Sequence, residues 1–134
     1  MTEDWVTTTE NILFTKFSAL VSDKYLSDYP KLNVTNSSKD SSKAQFPTIY
    51  FEVLSNNEKG NSLENYEINA IEYTVQIKVI TEEEMVCREI ANYIKMLMKE
   101  LLFNVVTSPL QANTQDTYVM VARYRRVITS SDKI

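Results

Sequence analysis

Apolar residues recur along this chain with two periods, and each period predicts a different element. From about Thr7 to Asp28, Leu13, Phe17, Leu20, Val21 and Lys24 fall at helical spacing, with Thr7 and Glu10 placed as an N-terminal capping box. Tyr29-Pro30 is expected to stop that helix, because proline breaks the hydrogen-bond ladder and restricts the residue before it. A short strand over Leu32 to Thr35 follows, then a polar run from Asn36 to Lys43 that reads as an exposed, mobile connection. Pro47 to Leu54 is rich in Ile, Tyr, Phe and Val and predicts a strand that opens after its proline. Asn56 to Tyr66 has turn-forming composition and is too long for a two-residue hairpin, so it predicts a protruding loop between antiparallel strands.

The clearest signal is Ile71 to Val79, where Ile71, Tyr73, Val75, Ile77 and Val79 alternate with Glu72, Thr74, Gln76 and Lys78. Period two of this kind marks a strand with one buried and one wet face. Thr81 to Glu84 forms a second capping box, opening a helix to about Leu102 with Val86, Ile90, Ile94, Leu97 and Leu101 on its core side and Glu89, Lys95, Lys99 and Glu100 on its polar side. Phe103 to Thr107 predicts a short strand, Pro109 to Asp116 a connection, and Thr117 to Ile128 a long final strand. The order α-β-β-β-α-β-β predicts a single α+β domain over residues 1–134. Its single antiparallel or mixed β-sheet has both α-helices packed on one face.

Composition narrows what such a domain can do. With 134 residues, 43% hydrophobic and 24% charged, the chain is long enough for one core. No apolar run approaches the roughly 20 residues of a membrane helix, and the acidic start from Met1 to Asp4 is unlike a secretory signal, so no membrane association is expected. The formal charge of -4 is the wrong sign for a protein whose main task is gripping nucleic acid. Histidine is absent, which removes Ser-His-Asp and Cys-His nucleophile systems and the commonest transition-metal ligand. The single cysteine, Cys87, excludes an intrachain disulfide, and the single glycine, Gly60, excludes phosphate-cradling glycine loops.

The remaining chemical candidates are each weighed against a plainer role. Glu82, Glu83 and Glu84 are consecutive, so on a helix they point apart, and helix capping explains them more simply than a cation site. Glu64, Asp116 and Asp132 are scattered carboxylates with nothing to pair them. Cys87 lies in the first turns of a helix, where a thiol pKa can fall, but a small, partly buried residue is the default. Met85, Met96 and Met98 read as core or subunit interface, and Trp5 as an aromatic packed on its own helix. Arg123, Arg125 and Arg126 form the one concentrated basic feature, with Tyr124 among them. Strand alternation puts Arg123 and Arg125 on one face and Arg126 with Tyr124 on the other, so ion pairs to a subunit or partner are favoured over DNA contact.

Taken in order, Phe46-Pro47-Thr48-Ile49-Tyr50-Phe51-Glu52, Glu72-Tyr73-Thr74-Val75-Gln76-Ile77-Lys78-Val79 and Val121-Ala122-Arg123-Tyr124-Arg125-Arg126-Val127-Ile128 resemble the tail terminator, or tail completion, proteins of tailed bacteriophages and prophages of Gram-positive bacteria. The resemblance spans about Phe46 to Ile128 and, more loosely, the first helix. It implies a non-enzymatic virion protein of the tail and neck, assembled in the host cytoplasm. It further implies a homo-oligomer, a hexameric ring, that caps the tail tube protein and meets the head-tail connector protein. DNA would pass through the lumen without specific binding, and no cofactor or metal is implied. An acidic subunit suits such a lumen, since like charge keeps phosphates from sticking. Long strands without interior proline would leave edges for a neighbouring subunit to pair with. Glu58, Lys59 and Asn61, in the polar loop, are placed at the tube contact, and Arg123, Arg125 and Arg126 at subunit or connector contacts. Two other readings stay open: a head-completion or neck adaptor protein or contractile-tail cap, and a small acidic inhibitor that mimics DNA.

Overall fold

A computed structural model describes residues 4–36, 47–59, 70–113 and 117–129, with side chains described from Thr8 and, in the second segment, as far as Asn57. Helix α1 runs from Asp4 to Tyr25. Leu13, Phe17, Val21 and Tyr25, one turn apart, are buried, while Asn11, Lys16 and Asp23 face out. The helix starts ahead of the expected capping box, so Thr7 and Glu10 lie inside it, and Glu10 Oε1 accepts a hydrogen bond from Asn56 Nδ2 at 3.0 Å. It also ends before Tyr29-Pro30. The residues between form a turn in which the Tyr29 amide donates to the Tyr25 carbonyl at 2.8 Å.

Five strands form one sheet in the order β1-β2-β3-β5-β4. They are β1 (Asn33–Thr35), β2 (Thr48–Lys59), β3 (Ala70–Thr81), β4 (Asn104–Gln111) and β5 (Tyr118–Thr129). β1 pairs parallel to β2, and all other pairs are antiparallel. With helix α2 (Glu84–Glu100), the order is α-β-β-β-α-β-β, the expected α+β architecture. Register puts Ile49 beside Val79, Phe51 beside Ile77, and Val75 beside Tyr124, so one face collects apolar side chains from every long strand. Both helices cover that face: Phe17 stacks on Phe51 with ring centroids 5.0 Å apart, and the helices meet where Tyr25 and Tyr93 contact edge to face at 5.3 Å. The opposite face carries Tyr50, Glu52, Gln76, Lys78, Arg123 and Arg125, and neither helix covers it.

Three strands exceed their expected lengths, β3 by Ala70 at its start and Ile80 and Thr81 at its end. β2 continues through Asn56, Asn57, Glu58 and Lys59, which pair with Tyr73, Glu72, Ile71 and Ala70, so part of the expected loop is strand. A register shift between Val53 and Ser55 leaves Leu54 as the bulge and turns Asn56 toward α1. β4 passes through Pro109 to Gln111, where a connection was expected. A sheet edge tolerates proline, and a second register shift falls between Thr107 and Leu110. A long, proline-free edge of the expected kind is present on β2, whose outer side beyond Tyr50 has no strand partner among the described residues. Two of the sheet's long strands, β3 and β5, are interior, and its terminal strands are a three-residue β1 and a proline-containing β4. The polar connection at 37–46 and the loop at 60–69 lie outside the described residues.

α2 begins two residues later than a Thr81 cap would place it. Glu83 is the N-cap without a side-chain capping bond, and the Thr81 hydroxyl donates to the Glu83 carbonyl at 2.6 Å. Cys87, Ile90, Ala91, Ile94, Leu97 and Met98 form the buried side, so the core stripe is centred on Ile90 and Ile94 as expected, with Val86 only half-buried. Met98 is fully buried and belongs to the core, whereas Met85 at 76% and Met96 at 63% exposed lie outside it, which leaves for these two only the interface half of the expectation. At the far end the Leu102 amide donates to Lys99 O and the Phe103 amide to Met98 O, the paired bonds of a Schellman motif. Leu102 occupies the left-handed position at φ 67°, where glycine is favoured. Leu102→Gly should raise stability by about 1 kcal/mol, since the strain of an L-residue there exceeds the entropic cost of glycine. Chemical denaturation checks this, and a destabilised variant would show that the leucine side chain is held by packing.

Candidate functional site

The final strand sorts its own side chains. In β5 the positions facing the helices hold Met120, Ala122, Tyr124, Arg126 and Ile128, and all five are buried. The bare face receives Val121, Arg123, Arg125 and Val127 from the same strand. Arg123 Nε donates to Gln76 Oε1 at 3.0 Å, and Arg125 Nε donates to Thr74 Oγ1 at 3.4 Å while lying 3.9 Å from Glu72 Oε1. Both guanidiniums are thus tethered to β3 but remain exposed. Two residues apart on one strand, they form a short basic row about 7 Å in spacing. On the outer rim of the sheet, Leu110 adds apolar surface at 61% exposure.

Arg126 has a different job. It is 8% exposed, and its Nη1 donates to the Leu101 carbonyl at 2.9 Å. That carbonyl lies at the C-terminal end of α2, where a cation meets the negative end of the helix dipole. Arg126 therefore ties β5 to α2 from within the subunit, which removes it from the exposed row with Arg123 and Arg125. Of the loop residues assigned to a tube contact, Glu58 and Lys59 have strand backbone in β2, while their side chains, and Asn61 altogether, lie outside the described residues. The Trp5 side chain, Glu64, Asp116 and Asp132 lie outside them too.

The reactive groups are quiet. Burial pushes the Cys87 thiol up from its ordinary value, partly offset by contacts with Thr81 and the Met120 backbone. It is buried with its sulfur 3.4 Å from the Val79 carbonyl, so the helix start does not make it a nucleophile. Glu84 pairs with Arg88 at 2.8 Å and accepts from Gln111 Nε2 at 3.3 Å. Among the described residues no group of acidic or cysteine side chains converges as a metal site. Burial pushes Tyr25, Tyr73 and Tyr124 up to about 12, with Glu89 adding to the effect at Tyr25 and Glu10 at Tyr73. The Tyr124 hydroxyl has no hydrogen-bond partner among the described residues.

The surface also has hollows that sequence reasoning missed. One of about 520 Å³ lies between the end of α2 and the start of β4, lined by Lys95, Lys99, Leu102, Phe103, Asn104 and Ser108. In the sequence Lys95 and Lys99 read only as the polar side of a helix; the consecutive Leu101 and Leu102 were the one available sign of an apolar rim. No protein-family model matches the chain, and no curated protein matches it at a significant level. No helix among the described residues is long and apolar enough to cross a membrane.

Two outcomes follow from these geometries. Arg126→Met should cost about 1.5–3 kcal/mol, the range for a hydrogen bond to a charged group, whereas Arg123→Ala and Arg125→Ala should each cost less than about 1 kcal/mol. Equal losses in denaturation would contradict the division of roles. The tyrosines titrate near 10 when unfolded, below their folded values of about 12. The folded state then holds more protons between those values, and stability that is complete below pH 10 falls as pH rises toward 12. Tyr124→Phe should make that fall shallower and add about 1 kcal/mol at neutral pH by removing an unpartnered hydroxyl. Unfolding curves across the alkaline range provide the check.

Proposed function

We propose that this chain is a structural subunit of a tailed bacteriophage particle, a tail terminator that forms a ring on the tail tube and joins it to the head connector. The observation that carries the reading is the sheet face bare of helices, with Arg123 and Arg125 held in a row across β5 and β3. A face built on β2, β3 and β5, mixed in character and presenting oriented guanidiniums, suits docking against another protein of the particle. Three further features support it. The segments that resemble tail terminator proteins form β2, β3 and β5, the long strands of the sheet. The acidic subunit, at a formal charge of -4, suits a ring through which DNA slides without being held. The sequence that joins β2 to β3 is polar, as a contact with a neighbouring component such as the tube protein would require.

Mechanism in this reading is assembly and not turnover. The ring stops tube growth by occupying its end and offers the filled head a surface to bind. A phage lacking the protein should yield uncontrolled, overlong tails in electron micrographs of lysates. Normal tails beside DNA-leaking heads would instead identify a head-completion protein, and a monomer that blocks a DNA-processing enzyme would identify an inhibitor. Arg123→Glu with Arg125→Glu should leave a folded subunit that is missing from purified particles. Unchanged incorporation would remove the bare face from the assembly surface.

A further inference from the structure

α2 carries two surfaces of opposite character at its two ends. At its C-terminal end the hollow of about 520 Å³ is lined by Lys95 and Lys99, floored by buried Phe103 and rimmed by Leu102, 69% exposed. Lys95 reaches only the Ser108 hydroxyl, at 3.4 Å, and no carboxylate pairs with Lys95 or Lys99 among the described residues. Leu102 keeps its large side chain at this rim in a backbone conformation that disfavours it, at φ 67°. Two cations without counter-ions around an apolar rim call for an occupant that is both acidic and apolar.

Such an occupant is present on the chain itself. At the N-terminal end of α2, Glu82 and Glu83 are exposed and unpaired among the described residues, and beside them Met85 is 76% exposed. A helix of 17 residues separates the two ends by roughly 25 Å, so one molecule cannot bring its own pole to its own groove. We infer that the Lys95–Lys99 groove receives the Glu82–Glu83–Met85 turn of a second copy of this chain, the methionine packing on Leu102 and the glutamates meeting the two lysines. The two surfaces differ, so the contact is heterologous: each copy offers a groove on one side and a pole on the other, and repetition closes a ring if the rotation allows. This rests on the ring proposed above and supplies its subunit contact.

Charge reversal tests it. By sedimentation velocity the wild-type protein should assemble, and added salt should shift it toward monomer. The paired variants Lys95→Glu with Lys99→Glu, and Glu82→Lys with Glu83→Lys, change only exposed or half-exposed side chains, and circular dichroism should show both folded. Each alone should lose the assembled species, because groove and pole then repel. Mixed in equal amounts they should regain it, since every groove again meets a pole of opposite sign. If either variant assembles like the wild type, or the mixture stays monomeric, the groove contact is wrong while the ring stands. If the wild type itself stays monomeric at every concentration, the ring and the contact both fall.

Discussion

Strand β3 has partners on both edges along its length, β2 on one side and β5 on the other, and one of its faces is closed by both helices. Its register is therefore the constraint on which the other elements depend. Ile71, Tyr73, Val75, Ile77 and Val79 are each at most 2% exposed. Burial of each such side chain contributes about 1.5–3 kcal/mol. A slip of one residue would carry all five to the bare face and put Glu72, Gln76 and Lys78 under the helices. Losing several apolar burials and desolvating two charges at once is too costly for the slipped pairing to compete. The position of Arg123 beside Gln76 and of Arg125 beside Thr74 is a consequence of that register, so the basic row is set by burial on the far side of the sheet.

This explains which parts of the molecule were legible in the sequence. Period-two alternation revealed β3 and the division of Arg123 and Arg125 from Arg126, because burial on one face leaves its mark at every second residue. Period 3.6 revealed both helices. What failed was local chemistry that tertiary pairing overrode. Asn56, Asn57, Glu58 and Lys59 have turn-forming composition, yet the opening residues of β3 lie alongside and recruit them into β2. Both capping boxes matched their motif, and neither marks its helix start: α1 begins before Thr7, and Glu83 takes the N-cap of α2. Arg126 bonds a carbonyl 25 residues away, a contact no local pattern encodes. The groove between α2 and β4 arises only when two elements are packed together, and so it left no periodic trace.

Net charge also conceals an arrangement. A formal charge of -4 describes the chain as a whole, but two pairs of cations stand close together. Arg123 and Arg125 stand on the bare sheet face, and Lys95 and Lys99 line the groove on the helix side. Surface ion pairs contribute little to folding, so their placement is weakly constrained by stability. Lysines and arginines left without strong intramolecular partners are free to steer association, where charge complementarity acts on encounter rate and on the choice of partner. In the proposed ring, an acidic subunit with two such basic places would repel DNA over most of its surface and still bind acidic protein surfaces at defined points.

The edges of the sheet limit how another chain could pair with this one through its backbone. Edge-to-edge pairing needs a long, flat strand with regular unpaired amides. β4 has two register shifts and a proline that lacks the amide, and β1 has three residues. Beyond Tyr50 the outer edge of β2 has no partner among the described residues, but the bulge at Leu54 interrupts it. Backbone addition is thus disfavoured at β1 and β4, and at β2 it is limited to the stretches on either side of the bulge. In the ring proposed above, association would then be specified largely by side chains, which discriminate partners by shape and charge in a way that backbone ladders cannot. Leu102 fits that logic. A glycine would relax the end of α2 and leave the groove without an apolar rim, so in the contact inferred above local strain and intermolecular packing would act against each other at one residue.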